Sequence, residues 1–314
     1  MTAILALLGL TARYGRVFLV AGLVAGVMLP DLALAMKPWL PELVGTLLFL
    51  AALRIGPRAA VGAIGDLPAT IGAVLLFQLF LPVVLILVAI AGGWIVSPIA
   101  ISLVLMLSAP SISGSPNLTV MTGHDPTAAL RLLVLGTCLL PLTVLGPFWL
   151  LPELGSAREV FGAAGRLLAV IALAGATGFL IRGFILRELS VEAVRAIDGL
   201  SAIAMAVVVV GLMSAVGPAI VETPVRFAGW LLVACLADFG LQFVAAHLIR
   251  HTRLRDDHVA YAVVAGNRNI ALFLIALPAN VTDPLLLFIG CYQIPMYLTP
   301  IVMRRFYRVA PERL

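Results

Sequence analysis

Charge is what this sequence lacks. Asp, Glu, Lys and Arg make up only 11% of its 314 residues, against 62% hydrophobic ones, where a soluble domain carries roughly 25% charged residues. So few charges cannot cover a water-facing surface, and the mean hydropathy of +1.15 says the same. A soluble enzyme or binding domain is excluded; the solvent is lipid. Cysteine is scarce too. Cys138, Cys235 and Cys291 each fall in an apolar run, with neither metal-ligand spacing nor a disulfide framework, and read as small buried hydrophobes. Catalytic signatures are missing: no Gly-Lys-Ser or Gly-Lys-Thr phosphate loop, no Gly-x-Ser-x-Gly elbow and no His-Glu metal motif. Ser113-Gly114-Ser115 would need a base, and no His lies in the middle of an apolar run. No enzyme activity and no cofactor are expected. The net charge of +5 does not point to nucleic acid, because the basic residues sit in short loops.

What is present is a series of apolar segments, each near the ~20 residues that cross ~30 Å of hydrocarbon. Ten can be drawn: 17–36, 39–53, 67–91, 97–123, 126–151, 160–186, 191–220, 227–249, 259–277 and 284–303. Long continuous runs mean helices, since barrel strands would alternate over about ten residues. Residues 1–16 lack a basic start and a small-residue cleavage site, and with Arg13 and Arg16 they read as an interfacial segment, not a cleaved signal. Trp39, Trp94, Trp149 and Trp230 lie near segment ends, where belt anchors are expected.

Orientation follows from arginine. With the N-terminus cytoplasmic, the inner loops hold Arg54, Arg58, Arg182, Arg187, Arg195, Arg250, Arg253 and Arg255, and the tail adds Arg304, Arg305, Arg308 and Arg313. The outer loops hold only Lys37, Arg158, Arg166 and Arg226. Both termini are therefore expected inside, in a bacterial-type inner membrane. Asp198 and Arg195, one turn apart, read as a surface pair. His247 and His251 read as interfacial, and His124 as part of a helix start.

The two halves repeat. Asp125-Pro126 opens the fifth segment and Asp283-Pro284 the tenth, each with two later prolines. With five spans per half, residues 17–152 and 153–308 are inverted repeats, followed by a tail at 309–314. Two segments at matching positions are broken by polar and helix-disrupting residues. The fourth carries Pro110, Ser113, Gly114, Ser115, Pro116 and Asn117; the ninth carries Gly266, Asn267, Arg268 and Asn269. Such backbone is tolerated at membrane depth only inside protein or beside a wet cavity, and inverted repeats place a substrate site there.

On these residues, with Gln78 in the third segment and Met121-Thr122 after the first break, the chain resembles the bile acid:sodium symporter family from about Arg16 to Arg304. The resemblance implies an all-α fold of ten spans. A core unit would hold spans 3–5 and 8–10, with spans four and nine crossing at their breaks. A panel unit would hold spans 1, 2, 6 and 7. It implies secondary active transport of small organic anions, bile-acid-like or carboxylate, usually with two sodium ions. Gln78 and Asn117 match polar ligands of the family. The family's ninth-span Glu and Gln fall at Val264 and Arg268, and its fifth-span hydroxyls fall near Arg131 and Leu135. A guanidinium has donors only and stays charged, so it repels a cation but can occupy a cation's place. Arg131 and Arg268 are therefore expected to stand in for sodium, leaving transport sodium-independent.

Asp238, midway along the eighth segment, mirrors Gln78 in the third. It reads either as the ion-pair partner of one of these arginines or as a proton site. Tyr292 and Gln293 either line the cavity or bridge helices. The competing readings are a sodium symporter with altered sites, an auxin-efflux-like carrier and a channel. An arsenite exporter would want a thiolate in the fourth segment, which has none.

Overall fold

The computed structural model describes residues 2–62, 66–151, 156–187 and 189–307. It is almost entirely helical, and among the described residues the only β feature is a bridge between Ser111 and Arg268. The helices are α1 (Thr2–Arg13), α2 (Gly15–Met28), α3 (Pro30–Gly62), α4 (Leu67–Ala91), α5 (Pro98–Ser108), α6 (Ser115–Thr122) and α7 (Thr127–Leu150). They continue as α8 (Ala157–Ile185), α9 (Val191–Glu222), α10 (Pro224–Ile249), α11 (His258–Gly266), α12 (Phe273–Ala276), α13 (Ala279–Val302) and α14 (Arg304–Tyr307). Among the described residues, seven are long and apolar enough to cross a membrane, and eight spans result if the bent pair Leu7–Arg13 and Val17–Met28, meeting at 81°, counts as one. The segments expected at 97–123 and 259–277 are each divided into short helices.

Proline sets several boundaries. The first segment ends at Met28, not at 36, because Pro30 drives Leu29 out of the helical region (φ −120°, ψ 69°) and then opens α3. Lys37-Pro38, expected as a loop, lies in a 3₁₀ turn (Lys37–Trp39) inside α3. α3 breaks only at Gly56 (φ 73°), just before Pro57. Asp283-Pro284 likewise lies within α13 and does not open it; Asp283 pairs with Lys37 at 2.8 Å. The expected repeat boundary at 152–153, together with Arg308, Arg313 and the 309–314 tail, lies outside the described residues.

The chain divides into two compact units. One comprises Met1–Gly62, Gly162–Phe227 and Ala271–Gly290; the other comprises Ala63–Phe161, Ala228–Ile270 and Cys291–Leu314. In the first, α2 runs parallel to α9 at very close approach, and α1 touches the N-terminal part of the same helix. A methyl group on Gly22 would sit 2.7 Å from the Ala206 carbonyl oxygen, and one on Gly199 would sit 1.9 Å from that of Leu8. Only glycine permits backbones this close, the packing mode of small residues in membranes. Two further expectations fail in this unit. Asp198 pairs across helices with Arg54 at 2.6 Å, where Arg195 had been expected. Arg166 is a helical residue of α8, not a loop one, and its Nε donates to the Ala276 carbonyl at the end of α12 at 2.8 Å. Trp39 and Trp149 are exposed as belt residues should be, but Trp230 is buried.

Candidate functional site

The site belongs to the second unit and begins with two helix ends. α5 is capped by Ser97, whose Oγ accepts from Ala100 N at 3.1 Å, and it stops at Ala109, which Pro110 holds extended. The break covers 109–114. Ser115, Pro116 and Asn117 lie beyond it, in the first turn of α6, where a proline needs no N–H partner. α11 ends at Gly266, and Asn267 leaves the helical region (φ −93°, ψ 90°).

The two breaks pair with each other, antiparallel. Ile112 N donates to Asn267 O at 3.1 Å and Asn269 N donates to Pro110 O at 2.8 Å, on either side of the Ser111–Arg268 bridge. Each break thus satisfies the other's backbone, which is how irregular chain survives away from water.

Arg268 lies at the centre and is 1% exposed. Its Nε donates to Ala265 O at 2.9 Å and one terminal nitrogen donates to Ala109 O at 3.0 Å. Ala265 lies in the last turn of α11, and Ala109 is the extended residue that caps the C-terminus of α5. Each helix C-terminus carries roughly half a negative charge, so the two ends together match one guanidinium. Its central carbon sits 5.0 Å from the Phe77 ring centroid, a cation–π contact. Among the described residues, no carboxylate forms an ion pair with Arg268. Its other terminal nitrogen is buried without a hydrogen-bond partner. Tyr292 bridges: its hydroxyl donates to Gly266 O and accepts from Arg268 N at 3.1 Å.

Gln78 sits in a π turn at Leu76–Phe80. Pro82, four residues on, has no N–H for the Gln78 carbonyl, so the local ladder shifts. Gln78 is buried, and its Oε1 accepts from Thr143 Oγ1 at 3.1 Å. A methyl group on Gly136 would sit 2.5 Å from Gln78 Nε2 and 3.8 Å from Pro110 Cβ, so bulge and break adjoin the same glycine.

Asp238 is fully buried in α10. Its Oδ2 accepts from Gln242 Nε2 at 3.0 Å and Thr299 Oγ1 at 3.4 Å, while Oδ1 has no partner. The expected ion pair with an arginine is absent among the described residues. Gln242 also donates to Thr299 Oγ1 at 2.9 Å, and its Oε1 accepts from the Tyr307 hydroxyl at 2.7 Å. Thr299 Oγ1 lies 3.2 Å from Asn267 Oδ1, which joins this network to the break.

The remaining expected residues are spread around this centre. Ser115 is buried with its hydroxyl against that of Ser111; Ser113, Gly114 and Asn269 are half-buried, and Asn117 is exposed. Arg131 lies one turn into α7 and is coupled electrostatically to the loop carboxylates of Asp125 and Asp257. Asp125 accepts from Thr127 N at 2.8 Å, and the hydrogen bonds from Thr127 hold its carboxyl below the usual range. Burial pushes Asp257 up. His124, edge-on to His258 and to Tyr307, is pushed down by burial and then by His258. Phe77, Gln242, Thr299 and Tyr307 had no sequence signal beyond being single polar or aromatic residues in apolar helices.

No protein-family profile matches the chain, and no curated protein matches it.

Proposed function

We propose that the chain is a secondary transporter of small organic anions that works by alternating access and without sodium. In this reading it has ten spans in two inverted five-helix repeats, and the divided fourth and ninth spans cross where their breaks pair. One observation carries the proposal: Arg268, buried and with no carboxylate partner among the described residues, donates to a carbonyl in the last turn of α11 and to the unwound carbonyl that follows α5. Half-helix C-termini and unwound carbonyls are where transporters of this plan hold a coupling cation. Here a tethered guanidinium supplies the charge, so no free cation is needed, and the positive centre suits an anionic substrate. Arg131 has no part in this argument, since its electrostatic partners are loop carboxylates.

Two further features support the reading. Paired breaks running antiparallel are what inverted repeats require of spans four and nine. The parallel course of α2 and α9 is what ten spans require of the first and seventh. The bile acid:sodium symporter resemblance supplies the substrate class, and no enzyme activity is proposed.

The test is the melting temperature of the detergent-purified protein in sodium chloride and in choline chloride, each with and without a panel of organic carboxylates and sulfonates. An anion at ~100 times its Kd stabilises the fold by ~2.7 kcal/mol through mass action. The expected result is one or more anions that raise the melting temperature equally in both salts. A shift produced by sodium alone, or an anion shift that requires sodium, overturns sodium independence.

A further inference from the structure

Asp238 is the one buried carboxylate among the described residues, and the tethered-cation argument leaves it unused. A permanently ionised carboxylate, buried in this way, would need donors on both oxygens or a counter-charge. A permanently protonated one would need an acceptor for its O–H. The structure supplies neither: both donors, Gln242 and Thr299, go to Oδ2, and Oδ1 has no partner. The titratable groups coupled to it are Cys235 on its own helix, Tyr292 on α13 and Tyr307 on α14. The charged group nearest in the chain packed against it is Arg268, two residues past Gly266. A methyl group on Gly266 would lie 2.3 Å from the Asp238 carbonyl oxygen and 3.0 Å from Oδ1, so the break and the carboxylate are in direct contact.

Resting on the carrier reading above, we propose that Asp238 is a proton-binding site and that its proton is the ion coupled to anion movement. The proton bonds to Oδ1 from water on the side to which the site is open, and that O–H bond breaks to water on the other side. Gln242 is a positioning residue that holds Oδ2 as an acceptor throughout, and Thr299 is a second one, its single hydroxyl proton shared between Oδ2 and Asn267 Oδ1. Protonation of Asp238 removes one negative charge from the neighbourhood of Arg268, so the site becomes more positive by one charge in a medium that screens poorly. An anion therefore binds better to the protonated state, and by reciprocity the bound anion strengthens proton binding. Anion and proton move together, in the same direction.

The experiment is infrared difference spectroscopy on the full purified chain in choline chloride, titrated over pH without added ligand. The expected result is the carbonyl band of a protonated carboxylic acid that appears as pH falls, is lost in Asp238→Asn and is displaced in Thr299→Val. The threonine variant keeps the carboxyl and removes one hydrogen bond, so it carries the test if the asparagine variant does not fold. A carbonyl spectrum unchanged by pH, or a titrating band that neither variant alters, overturns the proposal. If the band is absent while anions still stabilise the protein in choline, proton coupling fails and the carrier reading stands. If both are absent, both fall.

Discussion

The Tyr307 hydroxyl donates to Gln242 Oε1 across 2.7 Å, and this bond decides which way the amide faces. With its oxygen held by Tyr307, the Gln242 nitrogen must turn toward Asp238 and Thr299. Tyr307→Phe leaves a buried carbonyl without its donor, which costs about 1–3 kcal/mol. A lower melting temperature with an unchanged elution volume is the expected result. A variant as stable as wild type would show that the amide does not depend on this bond.

On the carrier reading proposed above, Arg268 stands where the bile acid:sodium symporter family has a sodium-ligating Gln, and Val264 where it has a Glu. Both are buried. The double variant Val264→Glu, Arg268→Gln exchanges a tethered cation for oxygen ligands, so it should gain a sodium-dependent rise in melting temperature that wild type lacks. If it ignores sodium, Arg268 does not occupy a former cation place.

Gly266 allows no side chain. A methyl group there would lie 2.3 Å from the Asp238 carbonyl oxygen and 2.5 Å from Gln242 Cγ. Gly266→Ala forces α10 and α11 apart, and overpacking of this kind costs roughly 1–3 kcal/mol. The expected result is a lower melting temperature, together with perturbation of the Asp238 carbonyl band.

The pair of Arg54 and Asp198 is short, 2.6 Å, but both side chains are more than a third exposed. A double-mutant cycle with Arg54→Ala and Asp198→Ala should give a coupling of only ~0.2–1 kcal/mol that declines with salt. A larger, salt-insensitive value would mean the pair is shielded from solvent.

His124 is held below its usual value of 6.5 by burial and by His258. The folded protein therefore binds fewer protons here than the unfolded chain does just below pH 6.5, and stability contributed at this position falls as pH drops through that window. His124→Gln should flatten the decline in melting temperature below pH 6.5. An unchanged pH profile would remove His124 from the account.

The breaks were legible because Pro110, Gly114, Gly266, Asn267 and Arg268 interrupt apolar runs, and a charge inside a span is conspicuous. The partners of that charge were not legible. Ala265 and Ala109 offer backbone carbonyls, which no side-chain pattern marks. The network around Asp238 joins Gln242 to Thr299 and Tyr307, 57 and 65 positions away, each a single polar group on a different helix. Asp198 misled because the one-turn rule is local, whereas its real partner Arg54 is 144 positions distant. Lys37-Pro38 misled because proline with a charge reads as a loop, yet a 3₁₀ turn lets α3 continue through it.

The glycine seam between α2 and α9 also bears on how the chain is made. Gly22 and Ala206 meet at backbone contact but are separated by some 180 positions, and ribosomes add ~5–20 residues per second. For roughly 10–40 s after the first span emerges, its docking surface does not yet exist. During that interval the glycine face of α2 is open to lipid or to the insertion machinery, and the first helix of the protein is among the last to find its place.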